Sequence, residues 1–257
     1  MNQLATITRA KMSKYAFLRE HLAGSNKVFP LIPGKPLNSM RRGKCLLCGN
    51  PSDPDHIAAG CQVALQQGRY LWRHNQVLHA INNEIMTRQR DTRFTLTMDS
   101  DNGTPTLPFP VFGPIRLRPD MVFSMKNEKR MIIMELTCPL SRNMSKWSNL
   151  KREKYSHLVP MARARGWAVY LHAVEVASDG QTSPSFTTFL QDIGFHATEA
   201  EPIVSSCSKV SVECTSVLMA MASNQQWVGP TQSFEYALLL QQNRAGLETS
   251  EQGVGRV

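Results

Sequence analysis

Residues 118–137, RPDMVFSMKNEKRMIIMELT, decide the fold. Met121, Val122 and Phe123 form a short apolar run, residues 126–130 carry four charges, and residues 131–136 form a second apolar run. Two such runs around a polar turn predict an antiparallel strand pair. Asp120 opens the first strand and Glu135 lies near the end of the second, so a hairpin carries both carboxylates to one rim of the sheet. Two neighbouring carboxylates can hold Mg2+, with waters completing its octahedron. Such an ion polarises a phosphodiester and activates water for in-line attack. Glu135 is the more telling of the two, because it interrupts the run IIMELT, where an unpaired charge is costly. The competing reading is a strand-end glutamate that points to solvent.

Downstream, residues 145–165 have helical spacing. Trp147, Leu150, Leu158 and Met161 share one face, with Lys154 in its middle, Lys151 at its edge and Tyr155 just beyond. A lysine facing carboxylates can orient the attacking water or stabilise a pentavalent phosphate, whereas a lysine beside an interface can also snorkel to solvent. The wheel favours Lys154 as the lysine of the carboxylate site and Lys151 as a phosphate-backbone contact. Residues 167–176, WAVYLHAVEV, are β-branched and aromatic and predict a strand. Helices are expected over 186–195 and 208–226, and a frayed tail after Gln241. Upstream, Leu65, Leu71, Trp72, Leu78, Ile81 and Ile85 predict a helix over 62–88, and residues 99–110 are turn chemistry throughout. A further helix is expected over 11–23 and a basic linker over 25–44. The order helix, strand, strand, helix, strand defines a small α/β core.

A second chemical signal precedes that core. Cys45, Cys48, His56 and Cys61 have the spacing C-x2-C-x7-H-x4-C. The C-x2-C pair on a tight turn aims two thiolates at one centre, and the His–Cys pair supplies the other corners of a tetrahedron. This is the ligand set of a closed structural zinc site. The remaining three of the six cysteines, Cys138, Cys207 and Cys214, have no metal spacing and read as free buried thiols of a reducing compartment.

The 257-residue chain has 29 Lys and Arg against 20 Asp and Glu, a formal net charge of +9. Residues 1–44 carry nine basic groups and one acidic, residues 116–165 carry twelve and four, and residues 166–257 carry three and nine. Two basic blocks followed by an acidic tail point to a polyanionic partner, nucleic acid foremost. A composition of 42% hydrophobic and 19% charged residues is that of a globular protein. The longest apolar runs, such as residues 217–222, fall far short of the ~20 residues of a membrane helix. The first residues lack a secretory core. Neither a membrane protein nor a secreted one is expected.

Taken in order, the cysteine knuckle, Trp72-Arg73-His74-Asn75, Arg118-Pro119-Asp120 with Glu135 fifteen residues on, and Lys151-x2-Lys154-Tyr155 resemble one known arrangement. It is the C-terminal zinc-knuckle and restriction-like endonuclease region of site-specific non-LTR retrotransposon polyproteins. The segments ELTCPL, KREKYSHL, RGWAVYLHAVEV and SFTTFLQDIGF extend the similarity over roughly residues 41–195. The resemblance implies a PD-(D/E)XK restriction-endonuclease-like core behind a CCHC zinc knuckle, with Asp120 and Glu135 as Mg2+ ligands. Thr137 stands where many such nucleases have a lysine, so that role passes to Lys151 or Lys154. Arg73 and His74 match the family's R-H-N motif and are expected to touch DNA or brace the site. Arg118 and Tyr155 join them as nucleic-acid contacts, and Glu84 is a weaker candidate for a third metal ligand. The implied organisation is a basic arm and linker over 1–44, the knuckle over 45–61, the nuclease domain over 62–195 and a helical extension over 196–257. The implied activity is Mg2+-dependent nicking of DNA in the nucleus, with RNA as an alternative partner and no membrane. No reverse-transcriptase motif is visible, so a separated, truncated or host-retained piece of such an element is expected. A catalytically inactive nucleic-acid-binding fragment is the alternative.

Overall fold

The computed structural model describes residues 44–88, 93–99, 106–222, 224–227 and 229. The expected helix over 11–23, nearly all of the linker over 25–44 and the tail after Gln241 lie outside these residues. The described residues divide into two compact units, one formed by those from Lys44 to Arg73 together with those from Val212 onward, the other by those within His74–Ser211.

The second unit is built on a mixed four-stranded sheet of order β1-β2-β3-β4, with β1 over Thr95–Met98, β2 over Met121–Met125, β3 over Arg130–Thr137 and β4 over Ala168–Glu175. β1 and β2 pair antiparallel, as do β2 and β3, with Val122 opposite Ile133. β3 and β4 are parallel, with Glu135 opposite Ala173 and Thr137 opposite Glu175. A parallel pair needs a crossover, and two helices provide it: α4 over Met144–Tyr155 and α5 over Leu158–Arg163. The other helices are α1 (Gln62–Gln66), α2 (Arg69–Arg88), the single turn α3 (Phe109–Phe112), α6 (Pro184–Asp192) and α7 (Ala197–Ala220).

Every residue of β3 from Met131 to Thr137 is buried. Ile132, Met134 and Leu136 pack with Phe123, Val174, Phe186 and Phe189 in one core cluster. Met131 and Ile133 pack with Val122, Val169, Tyr155 and Leu158 in another. A strand covered on both faces reads as a continuous apolar run, and that is why this segment stands out in the sequence. Its alternation leaves Glu135 and Thr137 on the face of Met131 and Ile133.

The hairpin and β4 lie where expected. Four expectations change. The helix expected over 208–226 begins earlier, at Ala197, and ends at Ala220. The helix over 62–88 is interrupted at Gln67–Gly68, where Gly68 has φ +72°, a conformation glycine adopts without strain. The helix over 145–165 breaks at Ser156–His157 into α4 and α5. Strand β1 was not anticipated, because TLTM is short, and it is held by pairing with β2 and by Leu96 and Met98 packing on the core.

Candidate metal centre and acidic site

The cysteine segment folds around its own turns. Gly49 takes φ +73°, its N–H donates to Cys45 O at 2.8 Å, and Cys45 N–H donates to Asn50 O at 2.7 Å. The His56 N–H donates to Asp53 Oδ1 at 2.7 Å. Tyr70 of α2 braces the far side, accepting from Cys61 N–H at 3.0 Å and lying 3.0 Å from Ile57 O as a donor. Burial pushes the Tyr70 hydroxyl up to about 12, so it is a donor at any working pH. Arg73 is buried and donates through Nη1 to Ala58 O at 2.9 Å and to Thr215 Oγ1 at 3.1 Å. It therefore braces this unit, with neither partner belonging to the acidic site it was expected to brace or to a DNA-facing surface.

The ligand atoms of Cys45, Cys48, His56 and Cys61 all lie within 4.8 Å of one another. Cys45 Sγ and Cys61 Sγ are 3.8 Å apart, and Cys48 Sγ is 3.3 Å from His56 Nε2. Zinc bonds of about 2.3 Å to sulfur and 2.0–2.1 Å to imidazole nitrogen give tetrahedral edges of about 3.8 Å and 3.5 Å. The four residues thus fit a tetrahedral metal such as zinc. Burial works to raise the Cys45 thiol, and the N–H groups of Cys48 and Leu47 with His56 outweigh it, bringing it down to about 7. Thiolate is the ligand form. None of the six cysteines is in a disulfide; Cys207 and Cys214 are buried and Cys138 partly so.

The acidic site lies in the sheet unit. Asp120 and Glu135 are tied together through the backbone: Leu136 N–H donates to Asp120 Oδ2 at 2.6 Å, and Asp120 N–H donates to Glu135 Oε2 at 3.3 Å. Each carboxylate is held by the strand that carries the other, so β2–β3 pairing itself sets their spacing. Both are buried. Lys151 Nζ is 2.5 Å from Glu135 Oε1 and Lys154 Nζ is 3.7 Å from it. Lys154 also donates to Tyr155 OH at 2.8 Å, and the Tyr155 hydroxyl donates to Arg118 O at 3.2 Å. Burial first and the Asp120 charge second raise the Glu135 carboxyl, even against Lys151 and Lys154.

Sequence and structure differ on the remaining side chains. Lys151, not Lys154, makes the shorter contact to Glu135, and its side chain is 24% exposed against 45% for Lys154. Tyr155 is fully buried, so it supports the site from below and does not meet nucleic acid. His74 turns its Nε2 to within 3.4 Å of Asp120 Oδ2. Burial disfavours its charged ring, but the Asp120 hydrogen bond and charge outweigh that and raise it. Arg118 pairs with Asp99. Glu84 pairs with Arg88 along α2 at 2.8 Å and is no third ligand of this site. Among the described residues, the only group of three or more His, Cys, Asp or Glu ligand atoms drawn this close is the Cys/His cluster.

Sequence reasoning missed Glu175. It sits opposite Thr137, on the same face of the sheet as Glu135, and is buried. Its Oε1 has no hydrogen-bond partner among the described residues, and burial raises its carboxyl. The signal was present, since a charge inside VYLHAVEV breaks the same rule that flagged Glu135.

No family model matches the chain, and no curated protein matches it in sequence.

Proposed function

We propose that this protein is a metal-dependent DNA endonuclease, derived from a non-LTR retrotransposon, that nicks one strand and folds its Cys45–Cys61 segment around a structural zinc. The observation that carries the reading is the Asp120–Glu135 pair, cross-tied through Leu136 N–H and Asp120 N–H, with Lys151 against Glu135. Asp120 and Glu135 are the residues to hold Mg2+. When bound, that ion supplies Lewis-acid polarisation of the phosphodiester and a water of lowered pKa. Lys151 orients the attacking water and offsets charge that develops on the phosphate. His74 holds Asp120 in place from α2. Arg118, on the β2 side of the pair, and the basic residues of 116–165 other than Lys151 supply phosphate contacts, which set affinity and not the chemical step.

A nicking assay on supercoiled plasmid with Mg2+ tests this. Asp120→Ala and Glu135→Ala each abolish cleavage while DNA affinity changes little. Cleavage that survives both substitutions overturns the reading.

A further inference from the structure

Helix α4 is amphipathic with its polar side inward. At 3.6 residues per turn, Met144, Ser148, Lys151 and Tyr155 share one face. This face meets the sheet: Lys151 bonds Glu135, Ser148 bonds Glu175 and Tyr155 is fully buried. Trp147 borders this face and Leu150 lies further round, and they are 41% and 44% exposed. Single exposed apolar residues are ordinary. A tryptophan and a leucine three residues apart on a helix, however, form one patch. Lys154, exposed along its stem with its ammonium turned to Tyr155 and Glu135, lies between them on the wheel, exposed Lys146 lies at the edge beyond Leu150, and Lys151 follows about 40° round the wheel from Trp147. The exposed strip therefore borders the helix face whose Lys151 reaches Glu135.

We propose that Trp147 and Leu150, with Lys146 and Lys154, form a docking strip for nucleic acid, in which Trp147 stacks on an unpaired base beside the phosphate at Glu135 and Lys151. The position of that phosphate rests on the nuclease reading above. Charge selects the occupant. Residues 144–155 carry four basic groups and one acidic, a complement for a polyanion. An aromatic face with lysines around it is how proteins hold unpaired bases without reading their sequence. Two apolar side chains are also far below the ~800 Å² per partner of a stable protein interface.

The test uses the full chain without divalent metal and two labelled DNAs, a fully paired duplex and the same duplex with an unpaired segment. Trp147→Ala should weaken binding of the second by about tenfold, the order expected for one lost stacking contact. It should change binding of the paired duplex by less than about twofold. Trp147→Phe should recover most of the loss, and Leu150→Ala should weaken the second DNA to a smaller extent. Trp147 is half exposed, so circular dichroism of the variant should match wild type. Equal losses on both DNAs, no loss on either, or a dimer-to-monomer change by sedimentation overturns the proposal, the last naming a second copy as occupant. Cleavage of plasmid by wild type with Mg2+ is scored separately. If it fails while the contrast between DNAs holds, the nuclease reading falls and the strip stands. If wild type cleaves and the contrast is absent, the strip alone falls.

Discussion

Lys151 and Lys154 differ by three residues and by 1.2 Å in their approach to one oxygen, Glu135 Oε1, at 2.5 and 3.7 Å. The shorter contact is a charge-assisted hydrogen bond, and such bonds are roughly twice as strong as neutral ones. The longer is an ion pair whose ammonium is shared with Tyr155 OH. Lys151→Ala should therefore lower single-turnover cleavage at saturating protein by about 10²–10³, the range for a lost electrostatic stabiliser. Lys154→Ala should lower the rate by much less and flatten the salt dependence of binding by about one unit of slope. A larger rate defect in Lys154→Ala would reverse the assignment. The sequence offered both lysines but ranked them the other way. That ranking assumed the apolar residues Trp147 and Leu150 face inward, and at a site that must desolvate a lysine they do not. Asp120 and Glu135 were legible because a carboxylate in an apolar strand breaks a rule. His74 was legible only as a motif member, since nothing local to α2 says which way its ring turns.

At the scale of elements, β3 and β4 lie side by side with a buried carboxylate each, and helix α4 answers them with unequal partners. Glu135 meets two ammonium groups, whereas Glu175 meets the hydroxyls of Ser183 and Ser148, with Arg152 nearby. Burial raises the Glu175 carboxyl above its ordinary value, so the fold favours its protonated form. Its stability contribution is thus fully present below the unfolded-state pKa of about 4.3 and is lost as pH rises through the higher folded value. Glu175→Gln keeps the shape and an acceptor for the serines but removes the charge. The variant should melt above wild type at pH 8, by about 2–4 °C for each kcal/mol recovered, and the two should converge below pH 4. A lower melting temperature for the variant at pH 8 would show that Glu175 is ionised and usefully paired. The hairpin and the crossover were readable because β2, β3 and β4 are apolar runs bounded by turns. β1 was not, since a four-residue strand on the sheet edge, held by pairing with β2 and by Leu96 and Met98 on the core, carries little pattern of its own.

The whole molecule is two units with unlike means of support. The sheet unit, His74–Ser211, has two core clusters on the two faces of the sheet, built from long apolar side chains such as Phe123, Phe186, Phe189, Ile132, Ile133 and Leu158. The other unit has around its cysteines a cluster whose fully buried members are only Cys45, Cys61 and Ala64. Burial of that size cannot offset the ordering of the segment, which costs roughly 1–2 kcal/mol per residue in backbone entropy. Structural zinc contributes apparent binding free energies of about 10–16 kcal/mol, so a bound zinc would supply most of what orders residues 45–61. Purified chain should carry one zinc, and chelation should expose residues 45–61 to protease while the sheet unit keeps its circular dichroism and its own melting transition. Cys48→Ser should reproduce the same nicking pattern without chelator, because Cys48 Sγ is the partner of His56 Nε2 at 3.3 Å. Protein purified without zinc, with residues 45–61 as resistant to protease as before, would show that Tyr70 and Arg73 suffice to hold the segment. The ligand spacing made this centre readable from four residues, whereas the braces from Tyr70 and Arg73 are long-range hydrogen bonds that no local pattern announces.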